Sequence, residues 1–243
     1  MEIAGRNALI TGGAHRVGRA LTLALAAAGA DVFIHYNRST APAEETAAAV
    51  QAMGRRAVTG AANLSDPATA APLLDAATVA LGPISILVNS ASGFPTDTLE
   101  EVTLDAWRST HDLTLATPMM LTQAFAVALP EGETGAVLNV TDVRTATPYR
   151  THFSYIVAKG GLDTLTKAAA VALAPQVRVN AVALGVILPP PGEDAAFAQR
   201  LAADLPMHRP GGTDPVAAAG LALIENDFVT GEIIRVDGGQ HLV

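Results

Sequence analysis

Cysteine is absent from this 243-residue chain, so neither a disulfide framework nor a thiolate metal site is available, and no metal ligands are expected. Aromatic residues supply only 4% of it and charged residues only 16%, while half is hydrophobic. The core must therefore be built from Ala, Val, Leu and Ile. The net charge is −8 and no basic run occurs, which argues against nucleic acid as a partner. Polar residues, Gly or Pro break every Ala-rich segment before it reaches the roughly 18 apolar residues of a membrane span. The opening residues lead straight into a strand pattern with no signal-peptide anatomy. The expectation is a soluble, cytoplasmic protein with a single domain over residues 1–243.

Apolar runs of strand length alternate with Ala-rich helical stretches throughout. Residues 7–11, 31–36, 57–60, 85–90, 136–141, 177–183 and 233–236 read as strands. Helices are expected over about 19–28, 43–53, 107–128 and 153–174, with Gly29 and Gly54 ending the first two. Residues 63–67 read as a turn that opens a further helix. Continuous apolar strands separated by helices imply an α/β fold, a parallel sheet covered on both faces. Two segments look irregular, 188–192 and 207–213.

The first strand runs into Gly12-Gly13-Ala14-His15-Arg16-Val17-Gly18 and then a helix. Strand, glycine-rich turn and helix form the dinucleotide-binding arrangement. Gly12 permits the tight turn, and Gly18 lets the helix pack closely. The helix N-terminus offers free N–H groups and partial positive charge to a diphosphate. After the second strand, His35-Tyr36-Asn37-Arg38-Ser39 has no acidic residue to hold ribose hydroxyls. Arg38 and Ser39 suit a 2′-phosphate instead, with Arg16 as a second cation nearby. The expected cofactor is NADP(H).

Lysine is scarce too: Lys159 and Lys167 are the only two. Tyr155 and Lys159 are four apart and share a helix face. An ammonium one turn away favours the phenolate and is expected to pull the Tyr155 pKa down from about 10, making it a general acid.

These motifs, with Asn63-Leu64, Asn89-Ser90-Ala91, Arg178-Val179-Asn180, Thr230-Gly231 and Val236-Asp237-Gly238-Gly239, resemble the short-chain dehydrogenase/reductase family over nearly the whole chain. The resemblance implies a Rossmann-like, doubly wound sheet of seven strands in the order 3-2-1-4-5-6-7. It implies that Tyr155 protonates the substrate while Lys159 also holds the nicotinamide ribose. Asn63 and Leu64 would lie near the adenine, Asn89 near the ribose, and Ser90, Ala91, Gly185 and Val186 beside the cofactor. It also implies a homotetramer, with the Tyr155 helix in one interface.

The departures narrow the reading. Arg16 stands where the family turn has glycine, Thr114 where a central-helix asparagine is usual, and Leu184 where a proline is usual. The serine expected thirteen residues before the tyrosine is Asp142. An ionised carboxylate only accepts hydrogen bonds, so it cannot polarise a ketone and would repel a developing alkoxide. It suits a substrate that carries N–H donors or gains a proton on nitrogen. Arg16, Asp142, Tyr155 and Lys159, with Phe94 to stack on a flat heterocycle, resemble the pteridine reductase branch. That branch implies a pterin or folate substrate touched by Arg16, Ser92, Phe94, Asp142 and Tyr155. A carbonyl reductase of 3-oxoacyl thioesters or other ketones is the first rival. A non-catalytic NADP-binding protein is the second. Residues 187–207 are expected to cover the substrate, the plain alternative being a packing helix with Phe197, Leu201 and Leu205 on one face.

Overall fold

The computed structural model describes residues 1–190 and 192–243; Pro191, inside the irregular segment 188–192, lies outside the described residues. The strands are β1 (Asn7–Thr11), β2 (Asp31–Tyr36), β3 (Ala57–Ala61), β4 (Ile86–Asn89), β5 (Gly135–Asp142), β6 (Val177–Leu184) and β7 (Ile233–Val236). The helices are α1 (Arg16–Ala27), α2 (Thr40–Ala52), α3 (Ala70–Leu81), α4 (Leu104–His111), α5 (Thr117–Ala128), α6 (Phe153–Leu173), α7 (Ala195–Leu201) and α8 (Asp214–Glu225).

All seven strands form one parallel sheet in the order β3-β2-β1-β4-β5-β6-β7, as expected. The pleat explains why the strands read as unbroken apolar runs. Ala8, Ile10, Val32, Ile34 and Val88 face α1, α2 and α8, packing on Leu21, Val50 and Val216. Their neighbours Leu9, Phe33, Leu87, Val137 and Val179 face the other way, onto Leu74, Leu121, Phe125 and Ala170 of α3, α5 and α6. Both faces are buried, so neither has a polar alternation to show. The chain leaves β1 toward β2 on one side and β4 on the other. That reversal opens a crevice at the carboxyl ends of the strands, where ligands of such sheets bind.

One expected helix is not continuous. The run over 107–128 divides into α4, a π-helical turn over Asp112–Ala116, and α5. Pro118 has no N–H for the carbonyl of Thr114, so the regular ladder cannot pass through. One helix, α8, has no counterpart in the sequence reading, and a second, α3, has only its start there. For α8, Pro215 at its first turn was the available signal. Gly220 in its middle weakens the pattern, and a Cβ there would lie 2.9 Å from both Leu138 and Leu21. For α3, the start was seen at Asp66-Pro67 but not its length. No helix among the described residues is long and apolar enough to cross a membrane.

Candidate active site

The crevice is a cleft of about 460 Å³, walled by the β1–α1 turn, the ends of β4 and β5, α6 and the loop after β6. Gly12 sits at φ +64, and a Cβ on it would meet the Ala91 backbone at 3.1 Å. A Cβ on Gly18 would fall 2.1 Å from the carbonyl oxygen of Gly12. The turn is therefore pressed between α1 and the end of β4, with no room for a side chain. Gly18→Ala is expected to push the turn outward, cost about 1–3 kcal/mol of stability and weaken dinucleotide binding. Thermal unfolding with and without NADPH reads both effects; an unchanged melting temperature and an unchanged cofactor-induced shift would contradict the prediction.

Arg16 opens α1 at φ +50, a left-handed conformation strained for any residue with a side chain. This is the position where the family turn carries glycine. Its Nη2 donates to the carbonyl oxygen of Pro189 at 2.7 Å. Arg16, expected to meet pyrophosphate or substrate, lines the cleft and is bonded there to the loop after β6.

Tyr155 and Lys159, on successive turns of α6, both reach the cleft, together with Asp142 at the end of β5. Tyr155 Oη donates to Asp142 Oδ2 at 3.0 Å. Asp142 Oδ1 accepts the backbone N–H of Arg144 at 2.8 Å. Lys159 is 3% exposed, and its Nζ donates to the Val140 carbonyl at 2.6 Å. Burial pushes the Lys159 pKa down to about 8, against the pull of Asp142 and Asp163, so the ammonium persists at neutral pH. Burial also raises the Asp142 carboxyl above its ordinary range, opposed by the Arg144 N–H, Tyr155 and Lys159.

The expected depression of the Tyr155 pKa is overturned. Burial, and then the Asp142 carboxylate beside the hydroxyl, push it well above the ordinary phenol value. Lys159 Nζ lies 5.6 Å from the ring centroid, while the carboxylate holds the phenolic proton directly. Tyr155 is a neutral phenol that keeps its proton until something draws it away.

Other expected site residues fall into two groups. Gly12, His15, Arg16, Val17, Gly18, His35, Asn37, Leu64, Ser90, Ala91, Ser92 and Gly185 line the cleft. Tyr36, Arg38, Ser39, Asn63, Asn89, Val186 and Phe94 do not. Arg38 is exposed on the turn between β2 and α2. Asn63 turns its carboxamide oxygen to the N–H of Ser65 at 3.2 Å. Asn89, expected near the ribose, has its side-chain amide turned into the core. Its Nδ2 donates to Asn139 Oδ1 at 2.9 Å, and Asn139 passes the chain on to Thr166, all inside the core. Phe94 is exposed but not free on both faces: His152 stacks on it at 3.8 Å, and it meets the Tyr155 ring edge-on at 4.8 Å.

Ile187 and Leu188 line the cleft, so the start of 187–207 lies against the expected substrate space. The packing face of that region differs from the one expected: Ala198, Ala202 and Leu205 are buried and Leu201 is exposed, because α7 ends at Leu201. Among residues that went unread, Asp97 stands out. Its carboxylate accepts from both the N–H and the hydroxyl of Ser154, capping the start of α6 where His152 supplies no side-chain cap. Leu113, brought in by the π-helical turn, and Thr141 also line the cleft.

The donor set fits a dinucleotide. The free N–H groups of the α1 N-terminus face one end of the cleft, and Tyr155, Lys159 and Asp142 crowd the other. Residues 12–241 match the family model described as enoyl-(acyl carrier protein) reductase. The chain belongs to the short-chain dehydrogenase/reductase family. Within that family it is similar to the FolM alternative dihydrofolate reductase 1 of Brucella canis, solved with NADP. The two share 35% identity and a TM-score of 0.93, over 100% of this chain and 97% of the other. The same reductase from Brucella suis, also with NADP, gives 34% identity and a TM-score of 0.94, covering 100% and 97%. A 3-oxoacyl-[acyl-carrier-protein] reductase of Synechocystis is 31% identical over 96% of each chain.

Proposed function

We propose that this oxidoreductase reduces a pterin or folate with NADPH, placing hydride on carbon and a proton on the adjacent nitrogen. The observation that carries the reading is Asp142, bonded to Tyr155 where most of the family has a hydroxyl donor. A carboxylate there accepts from ring or amino N–H groups of a pterin and offers a ketone nothing. Bound NADPH supplies the hydride. Tyr155 donates its phenolic proton, held against Asp142 in the resting site, to the substrate nitrogen, and the phenolate left between Asp142 and Lys159 takes its replacement proton from solvent. Lys159, held at the Val140 carbonyl, keeps positive charge beside the phenol as it loses its proton. Arg38 and Ser39, on the exposed turn after β2, are assigned to the 2′-phosphate. Phe94, packed beside the Tyr155 ring, is assigned to the flat heterocycle of the substrate. The similarity to the dihydrofolate reductases of the two Brucella species supports the same substrate class.

One observation favours the carbonyl reading. Burial raises the Asp142 pKa, and a protonated carboxyl is a hydrogen-bond donor; the Synechocystis relative is named for that chemistry. The deciding assay follows reduced-nicotinamide absorbance with dihydrobiopterin or dihydrofolate, then with an acetoacetyl thioester, each with NADPH and with NADH. NADPH consumption by the pterin or folate is the expected result. Consumption with the thioester alone transfers the assignment to ketones, and tight NADPH binding without any turnover leaves a binding protein.

The same reading takes the enzyme to be a cytoplasmic homotetramer. Exposed Met119 and Val127 flank an apolar groove between α5 and α6, which supports a subunit contact there. A monomer by light scattering would remove that part.

A further inference from the structure

His35, the last residue but one of β2, is 2% exposed with both ring nitrogens engaged. Nδ1 accepts the N–H of Gly12 at 3.1 Å. A backbone N–H can only donate, so Nδ1 carries no proton. Nε2, 3.0 Å from the carbonyl oxygen of Ala62, must then be the N–H and donate to it. The main chain joins in: the His35 carbonyl accepts the N–H of Gly13 at 3.0 Å. Two successive N–H groups of the phosphate turn are thus directed at His35. The N–H groups left for a diphosphate are those further along, at the start of α1.

Gly12 is fixed on three sides. Ala91 blocks it at the end of β4, and Gly18 lies under its carbonyl. His35 supplies the third restraint, a side-chain hydrogen bond. Through Ala62 the same ring reaches the segment leading to Leu64 and Ser65, on the opposite wall of the cleft.

We propose that His35 is a positioning residue for the dinucleotide: its ring ties the phosphate turn to the wall formed by Ala62, Leu64 and Ser65, and acts on the cofactor through Gly12. His35 then serves the expected cofactor site through the turn it holds. It rests on the dinucleotide and not on the pterin, so failure of the substrate reading leaves it standing.

The test compares His35→Leu with His35→Asn, two side chains of nearly the same shape, of which only Asn carries an acceptor at the Nδ1 position. Calorimetric titration with NADPH and with NADH is expected to show Kd rising about tenfold in His35→Leu for both nucleotides, since the diphosphate is common to them. His35→Asn is expected to restore most of the affinity. In turnover the loss falls on KM for the cofactor, not on kcat at saturation. A loss confined to NADPH would make His35 a contact of the 2′-phosphate and overturn the proposal. So would an unchanged Kd in His35→Leu, or an equal loss in both variants. Nitrogen NMR of labelled histidine in the wild-type protein tests the same geometry without a variant. An unprotonated Nδ1, kept when NADPH binds, is expected; a protonated Nδ1 refutes it.

Discussion

Tyr155→Phe is expected to lower kcat about a hundred- to ten-thousand-fold while NADPH binding survives. The substitution removes one atom. The ring stays, with its edge contact to Phe94 at 4.8 Å, so no cavity opens and the fold is not strained. What disappears is the proton that the structure holds between the phenol and Asp142. The Ser92 hydroxyl, which also lines the cleft, donates to the Gly93 carbonyl. Lys159 is committed to Val140. Near-normal kcat in Tyr155→Phe, measured at saturating NADPH and substrate, would remove Tyr155 as the acid. The pH dependence has a matching direction. Lys159 loses its charge as pH rises through about 8, and activity is expected to decline over that range.

Asp142→Asn is expected to separate function from stability. Burial raises the folded-state pKa of Asp142 above the ordinary 3.8. A raised carboxyl pKa means that the fold favours the protonated form. The resulting stabilisation is complete below the unfolded value and is lost as pH rises through the folded one. At neutral pH the wild-type protein therefore carries an unfavourable buried charge, and the neutral amide does not. Asp142→Asn should melt higher than wild type at pH 7, with the gap closing toward pH 4. It can still accept from Arg144 or Tyr155. Pterin or folate turnover should fall about a hundredfold or more, because the acceptor matched to N–H donors and to the Tyr155 proton is gone. The amide can donate, so ketone turnover should not fall with it. Full pterin turnover in Asp142→Asn would sink the assignment of this carboxylate, whatever the melting curves show.

The sequence made the sheet legible because its signals are local. Each strand is a short apolar run next to a helix, which implies a covered parallel sheet; the order of its strands comes from the family resemblance and not from that alternation. Tyr155 and Lys159 were legible because helical spacing puts four-apart residues on one face. What the sequence concealed depends on partners distant along the chain. The Tyr155 pKa moved opposite to expectation because the spacing reveals Lys159 but not the depth of burial or the Asp142 bond. Asn89 and Asn139 lie fifty positions apart, so the bond between their carboxamides across neighbouring strands leaves no local trace. Asp97 caps α6 from 57 positions away, which no local pattern betrays. The π-helical turn had a visible cause in Pro118 but was passed over in favour of one long helix.

The placement of β1 has a consequence for how the chain comes off the ribosome. Its pairing with β2 is complete once residue 36 is made, and β3 then extends the sheet outward. The opposite edge of β1, which Ile86–Asn89 will cover, stays bare while the next fifty residues are synthesised. For that interval the strand destined for the centre of the sheet is an apolar border, with Leu9 and Ile10 beside its unpaired amides. Nascent or truncated chains ending before β4 are thus the self-associating form of this protein, and the arrival of one four-residue strand ends the hazard.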